Sequence, residues 1–208
     1  MSTGLRERRK RETRQALSDA AMGLFAAHGF EAVTISQVAD AAEVSKKTVT
    51  NYFSRKEDLV FDHAEAIIRG LADAVAGRAP GESLLAAVRR DHAERIAAGD
   101  VTFGPPTAMF ARLIRDSTVL ASRLREIAGL REQALGDAIA AETGTDDPQQ
   151  RIVAAQLASV HRVLFAEAAR RTLAGEAHDV IRQSLAAAAE RAFDLLEPSL
   201  GGYEVRSP

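Results

Sequence analysis

The stretch that decides the fold is TISQVADAAEVSKKTVTNYF, residues 34–53, in which two short helical segments follow one another closely. Thr34, with Gln37 three residues later, fits a capping box before the apolar face around Val38. Ser45 is an N-cap residue for the next segment. Two short helices joined by a turn of a few residues predict a helix-turn-helix unit.

The second segment, SKKTVTNYF, has two different faces. Helical spacing places Val49 and Phe53 on an apolar side, with Tyr52 beside them. The other side is polar and basic and carries Lys46, Lys47, Thr50 and Asn51. Such a face either solvates the helix or carries groups for phosphates and base edges in a DNA groove, and periodicity alone leaves both readings open.

The flanking sequence completes a three-helix module. Before it, apolar residues from Leu17 to Phe25 recur at helical spacing, and Gly29 suits a left-handed helix end. After it, Ser54 with Glu57 fits another N-cap, which predicts a fourth helix over residues 55–76. The first helix is therefore expected to form the third wall of a small core.

The composition sets the class of protein. The 208 residues are 46% hydrophobic but only 5% aromatic, and no alternating β-branched run indicates a strand, so the class predicted is all-α. The chain has no cysteine, which excludes disulfides and thiolate catalysis and suits a reducing compartment. No apolar run approaches the length needed to cross a bilayer and no signal peptide is recognised, so a soluble, cytoplasmic protein is expected.

Charge is distributed unevenly along the chain. The net charge is −2, yet residues 1–60 carry a balance of +2. Six of the first fourteen residues are Lys or Arg, against two Glu. A basic arm before an acidic body favours a polyanionic partner, and a frayed, solvated terminus is the alternative reading.

Five further helices are predicted beyond the fourth. They cover residues 81–98, 105–115, 117–142, 149–174 and 177–197, which gives nine in all. The predicted organisation is an N-terminal domain over residues 1–54, a helical domain over 55–200 and a disordered tail over 201–208.

Residues 8–60 resemble the TetR-type (TetR/AcrR) transcriptional regulators. The resemblance rests on the frame "LF...GF...T", the second helix "I..VA..A.VS", the third helix "T.T.YF" and "KEDL" after it. It implies a DNA-binding regulator, most often a repressor, that binds a palindromic operator as a dimer. It also implies that a small molecule in the C-terminal domain releases the DNA.

Residue by residue, the resemblance implies a DNA-contacting set. The set is Thr34, Lys46, Lys47, Thr48, Thr50, Asn51, Tyr52 and Lys56. Lysine suits phosphate or guanine, and asparagine suits adenine. For Thr34 a simple N-cap, and for Lys56 a solvated side chain, are the competing readings.

Two positions depart from the family pattern. Glu43 occupies a turn position where the family usually has glycine, so a positive φ there would strain the turn. Lys47 replaces a residue that is commonly small and adds a positive charge near the groove.

The resemblance implies that the last two helices dimerise and that the middle helices surround a ligand. Both last helices have apolar residues on more than one side, although a large single-chain core would explain these as well. The candidate ligand-lining residues are Phe61, His92, Phe103, Met109, Phe110, Leu113 and Phe165. Phe and Met at such spacing are more often plain core.

Chemistry beyond binding has no support in the sequence. The histidines lack a paired metal-ligand spacing, and no catalytic frame or phosphate loop is present, so no metal, cofactor or enzymatic activity is expected. Two alternatives stay open: a regulator without a small ligand, and a small-molecule-binding or enzymatic helical body to which DNA binding is incidental.

Overall fold

The computed structural model describes residues 2–100, 102–145 and 147–206, with side chains from Arg6 onward. Within these residues the regular structure is helical, which confirms the all-α class. Nine α-helices occur there: α1 Ser2–His28, α2 Ile35–Ala41, α3 Lys46–Tyr52, α4 Ala64–Ala76, α5 Leu84–Ala97, α6 Ala108–Asp116, α7 Thr118–Thr143, α8 Pro148–Leu173 and α9 His178–Leu200.

The predicted fourth helix is shorter than expected. Its first turn is instead a separate 3₁₀ turn, Lys56–Leu59, and α4 begins only at Ala64. Ser54 does not cap the backbone; its hydroxyl donates to Asp58 Oδ2 at 3.1 Å. The next residues, Leu59, Val60 and Phe61, are all buried. Because three consecutive residues cannot share one face of a helix, burying all three bends the chain here.

Contacts divide the chain into two compact units. The first comprises residues up to Ala64 and Arg112–Arg123, and the second comprises Glu65–Ala111 and the chain from Leu124. The domain boundary after residue 54 stays a prediction. Helical periodicity gives no information on which segment packs beside which, so it did not indicate that residues 112–123 belong to the first unit.

In the first unit, α1, α2, α3 and the 3₁₀ turn surround a small core. Its buried side chains include Leu17, Phe25, Val38, Val49 and Phe53. Gly29 ends α1 with φ of 80°, as its position predicts. The segment 112–123 is tied to the same unit by two side-chain contacts: Ser117 Oγ donates to Glu31 at 2.7 Å, and Arg123 pairs with Asp58 at 2.8 Å.

The core of the second unit is formed by α4, α5, α7, α8 and α9. The buried residues of α9 serve two clusters: Ala189 and Phe193 belong to this core, whereas Ile181 and Leu185 belong to a smaller cluster with α8. Leu195 is 81% exposed. The inward residues follow strict i, i+4 spacing, which leaves position 195 on the opposite side.

The end of the chain is held in place as far as Arg206. The Arg206 side chain donates to the carbonyls of Ala76 and Arg78 at 3.0 and 2.6 Å. Its backbone pairs with Gly81 and Glu82 at 2.8 and 3.2 Å. These contacts differ from the expectation of a disordered tail, because their partners lie more than a hundred residues away in the chain and local composition does not reveal them.

By length and composition, α8 could cross a membrane, which the sequence reading did not anticipate. The core helix of a globular protein passes the same test. Val153, Leu157 and Val160 on α8 are buried in the core of the second unit. The apolar character of α8 is thus accounted for in part by packing within the protein.

Candidate nucleic-acid interface

Helix α2 begins and ends with two well-defined backbone motifs. At its start the Thr34 side chain accepts from Gln37 N and the Gln37 side chain accepts from Thr34 N, which confirms the predicted capping box. At its end the N–H of Val44 donates to Ala39 O at 2.9 Å and that of Glu43 to Asp40 O at 3.2 Å. This pair of bonds is a Schellman motif.

The Schellman motif puts Glu43 at the position that requires a left-handed backbone, with φ of 54°. Two other helices of the chain end with the same bond pair, and both have glycine there, at Gly99 and Gly175. A residue with a Cβ is disfavoured in this conformation. The turn therefore keeps the geometry that glycine would give and carries strain at Glu43.

Helix α3 has an exposed polar face and is fixed to the core of the first unit by two buried side chains. Ser45 caps it by accepting from Thr48 N at 3.0 Å, as predicted. Val49 is fully buried and Phe53 is 2% exposed, so both side chains fix α3 to the core of the first unit. The opposite residues Lys46, Lys47, Thr50 and Asn51 are exposed. Helix α3 contains two lysines and no acidic residue.

The hydroxyl groups on α3 already have internal partners. Thr48 Oγ1 lies 2.8 Å from Ser45 Oγ, and Thr50 Oγ1 donates to Lys47 O at 3.1 Å. Both hydroxyls keep lone pairs free to accept. Tyr52, by contrast, is half-buried. Asn51 and the two lysines are therefore the longest polar side chains that α3 exposes.

Lys56 is held by the loop before α2. Its Nζ donates to Val33 O at 2.8 Å and lies 4.2 Å from the centroid of the Phe30 ring. The ammonium group thus fixes the segment that leads into the Thr34 cap. Neither contact was expected from the sequence, because both partners are more than twenty residues away.

Arg14, which the sequence places in the basic arm, holds the C-terminal end of α3 instead. Its Nη1 donates to Tyr52 O at 2.8 Å, its Nε pairs with Asp62 at 2.5 Å, and its guanidinium lies 4.2 Å from the centroid of the Phe53 ring. A cation at a helix C-terminus satisfies a free carbonyl and interacts favourably with the helix dipole. Arg14 therefore orients α3 from behind its polar face.

The arm itself is the first part of α1. Residues 6–12 are helical and exposed, and Arg8 pairs with Glu12 at 2.7 Å within the helix. The positive charge of Arg6, Arg9, Lys10 and Arg11 thus lies along a helix surface.

The candidate ligand-lining residues divide between the two units. Phe61 and Leu113 belong to the first unit and are buried there. Three candidates of the second unit form a cluster that also includes His161: the Phe103 ring contacts the rings of His92 and His161 at centroid distances of 5.3 and 4.7 Å, and Phe165 stacks on His161 at 6.2 Å. Met109 and Phe110, also in this unit, are only partly buried.

Sequence reasoning missed two members of this cluster, His161 and Arg131. His161 Nε2 lies 2.9 Å from Thr102 O. Arg131 lies on α7 and its guanidinium is 5.2 Å from the centroid of the Phe103 ring. The available signal was spacing: Ile127, Arg131 and Leu135 follow each other at i, i+4, which puts the arginine on the buried face of α7.

Burial sets the protonation of the cluster. It lowers the pKa of His92 to about 4, with the positive charge of Arg131 acting in the same direction and Glu190 opposing. It lowers the pKa of His161 well below the ordinary range, again helped by Arg131. The pKa of Arg131 falls to about 10, also through burial. At neutral pH the histidines are therefore uncharged and the arginine is a cation.

Comparisons with known proteins agree with this geometry. Residues 17–62 match the family model for bacterial regulatory proteins of the tetR family. The chain is 33% identical to the HTH-type transcriptional regulator TcmR of Streptomyces glaucescens over 208 residues, an alignment that covers 95% of this chain and 88% of TcmR.

Two solved structures are similar in outline. A TetR-family regulator from Streptomyces coelicolor is 22% identical with a TM-score of 0.48, covering 88% of this chain and 94% of that one. Thermus thermophilus FadR, a TetR-family repressor solved with lauroyl-CoA, is 24% identical with a TM-score of 0.48, covering 94% and 97%. The matched helix-turn-helix region and the near full-length similarity to TcmR establish that the chain belongs to the TetR family of DNA-binding transcriptional regulators, which are not enzymes.

Proposed function

We propose that this protein is a cytoplasmic repressor that binds a palindromic operator as a homodimer and releases it when a small molecule binds the second unit. The observation that carries the DNA-binding part is the exposed polar face of α3, which stands on Val49 and Phe53 and is oriented by Arg14. A short helix with a fixed orientation can enter the major groove and present a few side chains to base edges.

The side chains of this face would contact different groups of the DNA, according to their chemistry. Lys46 and Lys47 supply positive charge for phosphates or guanine, and Asn51 can form two hydrogen bonds with adenine. Thr48, Thr50 and Tyr52 can accept or donate at phosphates near the groove edge. Thr34 and Lys56 would act through the backbone segment that they hold together, beside any phosphate contact of their own.

Exposed apolar residues on the last two helices support the dimer. Ile152 and Val163 on α8, and Val180 and Leu195 on α9, are between 54 and 81% exposed. Apolar side chains spread over two long helices are suited to cover one another across a twofold axis. A dimer would place two copies of α3 on half-sites about 34 Å apart, or a multiple of that spacing.

The release step rests on the cluster around Phe103 and on α7. A ligand that favours one arrangement of the protein shifts DNA affinity only by its difference in affinity for the two arrangements, about 1.4 kcal/mol for each tenfold change. Helix α7 contributes Arg131 to the cluster and, through Arg123, the ion pair with Asp58 in the first unit. A regulator without a ligand remains the second candidate.

Mobility shifts with DNA flanking the gene for this protein test the operator. We expect saturable binding whose affinity falls steeply with salt, since counterions are released from phosphates. For Asn51→Ala we expect a loss of about 1–3 kcal/mol and weaker base preference. For Lys47→Ala we expect weaker binding to all sequences and a salt slope lower by about one.

The matched control is Gln133→Ala, which removes an exposed amide from the part of α7 that belongs to the second unit. It should leave affinity and salt slope unchanged. Binding of the wild-type chain that is weak and independent of sequence would rule out the operator. Unchanged affinity and preference in both α3 variants would move the interface elsewhere.

A further inference from the structure

Arg131 is a buried cation for which the described residues supply no hydrogen-bond acceptor. It is 3% exposed, and Ile127 and Leu135, one turn before and after it on α7, are buried as well. Its Nε, Nη1 and Nη2 atoms are buried and find no hydrogen-bond acceptor among the residues that the structure describes. A guanidinium has five N–H donors and does not lose its proton in proteins, so the charge stays and requires a partner.

The carboxylates of Asp91 and Asp100 are hydrogen-bonded to another arginine, Arg95. Asp91 accepts from Arg95 Nε with both oxygens at 3.0 Å, and Asp100 accepts from Arg95 Nη1 at 3.2 Å. Asp100 also accepts from the backbone and the hydroxyl of Thr102, at 2.8 and 2.7 Å. The attraction of Asp91 for Arg131 therefore acts without a hydrogen bond between them, and the donors of Arg131 are left for something else.

The ring of Phe103 lies beside the guanidinium. Phe103 lies 5.1 Å from the guanidinium carbon of Arg95 and 5.2 Å from that of Arg131, measured to the ring centroid. His92 and His161 meet the same ring with their edges. His92 Nε2 is a second buried polar atom without a hydrogen-bond partner among the described residues. Two unsatisfied polar groups thus lie against one aromatic ring.

We propose that Arg131 binds the oxyanion of a small planar organic acid, with His92 as the second polar contact and Phe103 against the body of the ligand. This inference rests on the proposed function, in which the second unit binds a small molecule. A carboxylate or phenolate matches the guanidinium fork and neutralises its charge. A neutral apolar ligand would leave the charge unpartnered, so the site selects acids over their uncharged analogues.

The experiment compares two probes of the same shape, 2-naphthoate and 2-naphthamide, by titration calorimetry and thermal shift at pH 7.5. The wild-type chain should bind the acid at least about tenfold more tightly than the amide, since a charge-assisted pair distinguishes them. Arg131→Met should reduce this preference to less than about twofold. The control Arg125→Met, which removes an exposed arginine from the same helix, should keep the full preference.

Arg131→Lys provides the second variant, because it retains the charge without the planar fork; a preference between those of the wild type and the methionine variant is expected. If Arg131→Met fails to fold, Arg131→Lys carries the test alone, and a full wild-type preference in it overturns the proposal. Binding of neither probe, equal binding of both, or a preference that survives in Arg131→Met also overturns it. Operator binding by the wild-type chain, measured without probe, decides the proposed function separately.

Discussion

Two arginines of the second unit are almost completely buried, and their surroundings are opposite. Arg78 is 2% exposed and binds Glu142 through both Nη atoms, at 2.6 and 2.7 Å. Its remaining hydrogen bonds go to the carbonyls of Val75, Glu82 and Glu204. Arg131 is 3% exposed and has no acceptor among the described residues.

Arg78 therefore has a structural role, whereas contacts within the described chain do not explain the burial of Arg131. Burying an ion is costly, and the cost is offset only where hydrogen bonds and an opposite charge are in place. Around Arg78 these contacts join the end of α4, the end of α7 and the C-terminal segment. The described residues provide no comparable contacts around Arg131. Its charge therefore lowers the free energy of unfolding as long as no anion is bound.

The largest effect is expected from Arg78→Met. Removing this buried, fully bonded guanidinium leaves the part-exposed Glu142 and several carbonyls without their partner, which should lower the free energy of unfolding by about 4 kcal/mol. Urea unfolding followed by circular dichroism measures it. Arg69→Met, which removes an exposed arginine from α4, is the control and should cost under about 0.5 kcal/mol. Equal losses in both variants would mean that Arg78 is not the centre of this network.

The second-largest effect is a loss of stability in mild acid, which originates in the histidines of the Arg131 cluster. The pKa of His92 is about 4 in the folded chain, against an ordinary 6.5. Between these values the unfolded chain takes up a proton that the folded chain does not, so stability is full above pH 6.5 and falls as the pH drops to 4, by about 3 kcal/mol. His161, whose pKa is also lowered, adds in the same direction.

Urea unfolding at pH 7.5 and 5.0 measures this slope. His92→Phe should make the slope shallower, because a ring remains and the titration of His92 is removed, which leaves the contribution of His161. His28→Gln, a change at an exposed histidine, should leave it as in the wild type. A slope that His92→Phe does not alter would contradict the buried neutral imidazole.

The third effect concerns the C-terminal segment that completes the Arg78 network. Ending the chain after Gly202 removes Glu204 and Arg206, and with them an acceptor for Arg78 and the pairing with Gly81 and Glu82. We expect a loss of about 2 kcal/mol, as several part-buried hydrogen bonds disappear. Arg206→Ala should lose less, because the backbone pairing stays. A truncated chain as stable as the full one would show that the segment is not held in solution.

The fourth effect has the opposite sign. Arg131→Met removes an uncompensated buried charge and leaves an apolar side chain of similar length, so the ligand-free protein should gain about 1–2 kcal/mol. The same change at Arg78 loses stability, which makes this pair the direct test of the comparison. A loss of stability in Arg131→Met would mean that the guanidinium is satisfied within the protein.

The smallest effect concerns the backbone, where one strained residue is compared with glycines in the same conformation. Glu43 holds a positive φ that Gly99 and Gly175 adopt freely in the same motif. Glu43→Gly should therefore gain about 0.5–1 kcal/mol by thermal unfolding. Gly175→Ala is the reverse control and should lose a similar amount. No change in either variant would show that the turn relaxes to another conformation.

Local sequence predicted much of the first unit. The Thr34 capping box, the Ser45 cap and the left-handed turn at Gly29 are each encoded within a few residues, and all three are present. The helices after residue 80 begin and end within three residues of their predicted positions. The break before α4 was missed, because the burial that accompanies it depends on α1, which is distant in the sequence.

The candidate site was predicted less completely, for a different reason. The polar face of α3 follows from helical spacing, whereas the roles of Arg14 and Lys56 depend on partners 20 to 50 residues away. Among the proposed ligand residues, the sequence indicated His92 and Phe103 but not Arg131. A charge at a core position usually reads as a solvated residue unless the burial of its whole helix face is known.

By itself, the sequence determined the helical class, the helix-turn-helix unit and the two faces of α3, since caps, turns and periodicity act over one or two helical turns. Only the tertiary structure decided which buried charges have partners. Burial and hydrogen bonding depend on side chains brought together from distant helices, and so Arg78 and Arg131, alike in sequence terms, differ in the folded protein.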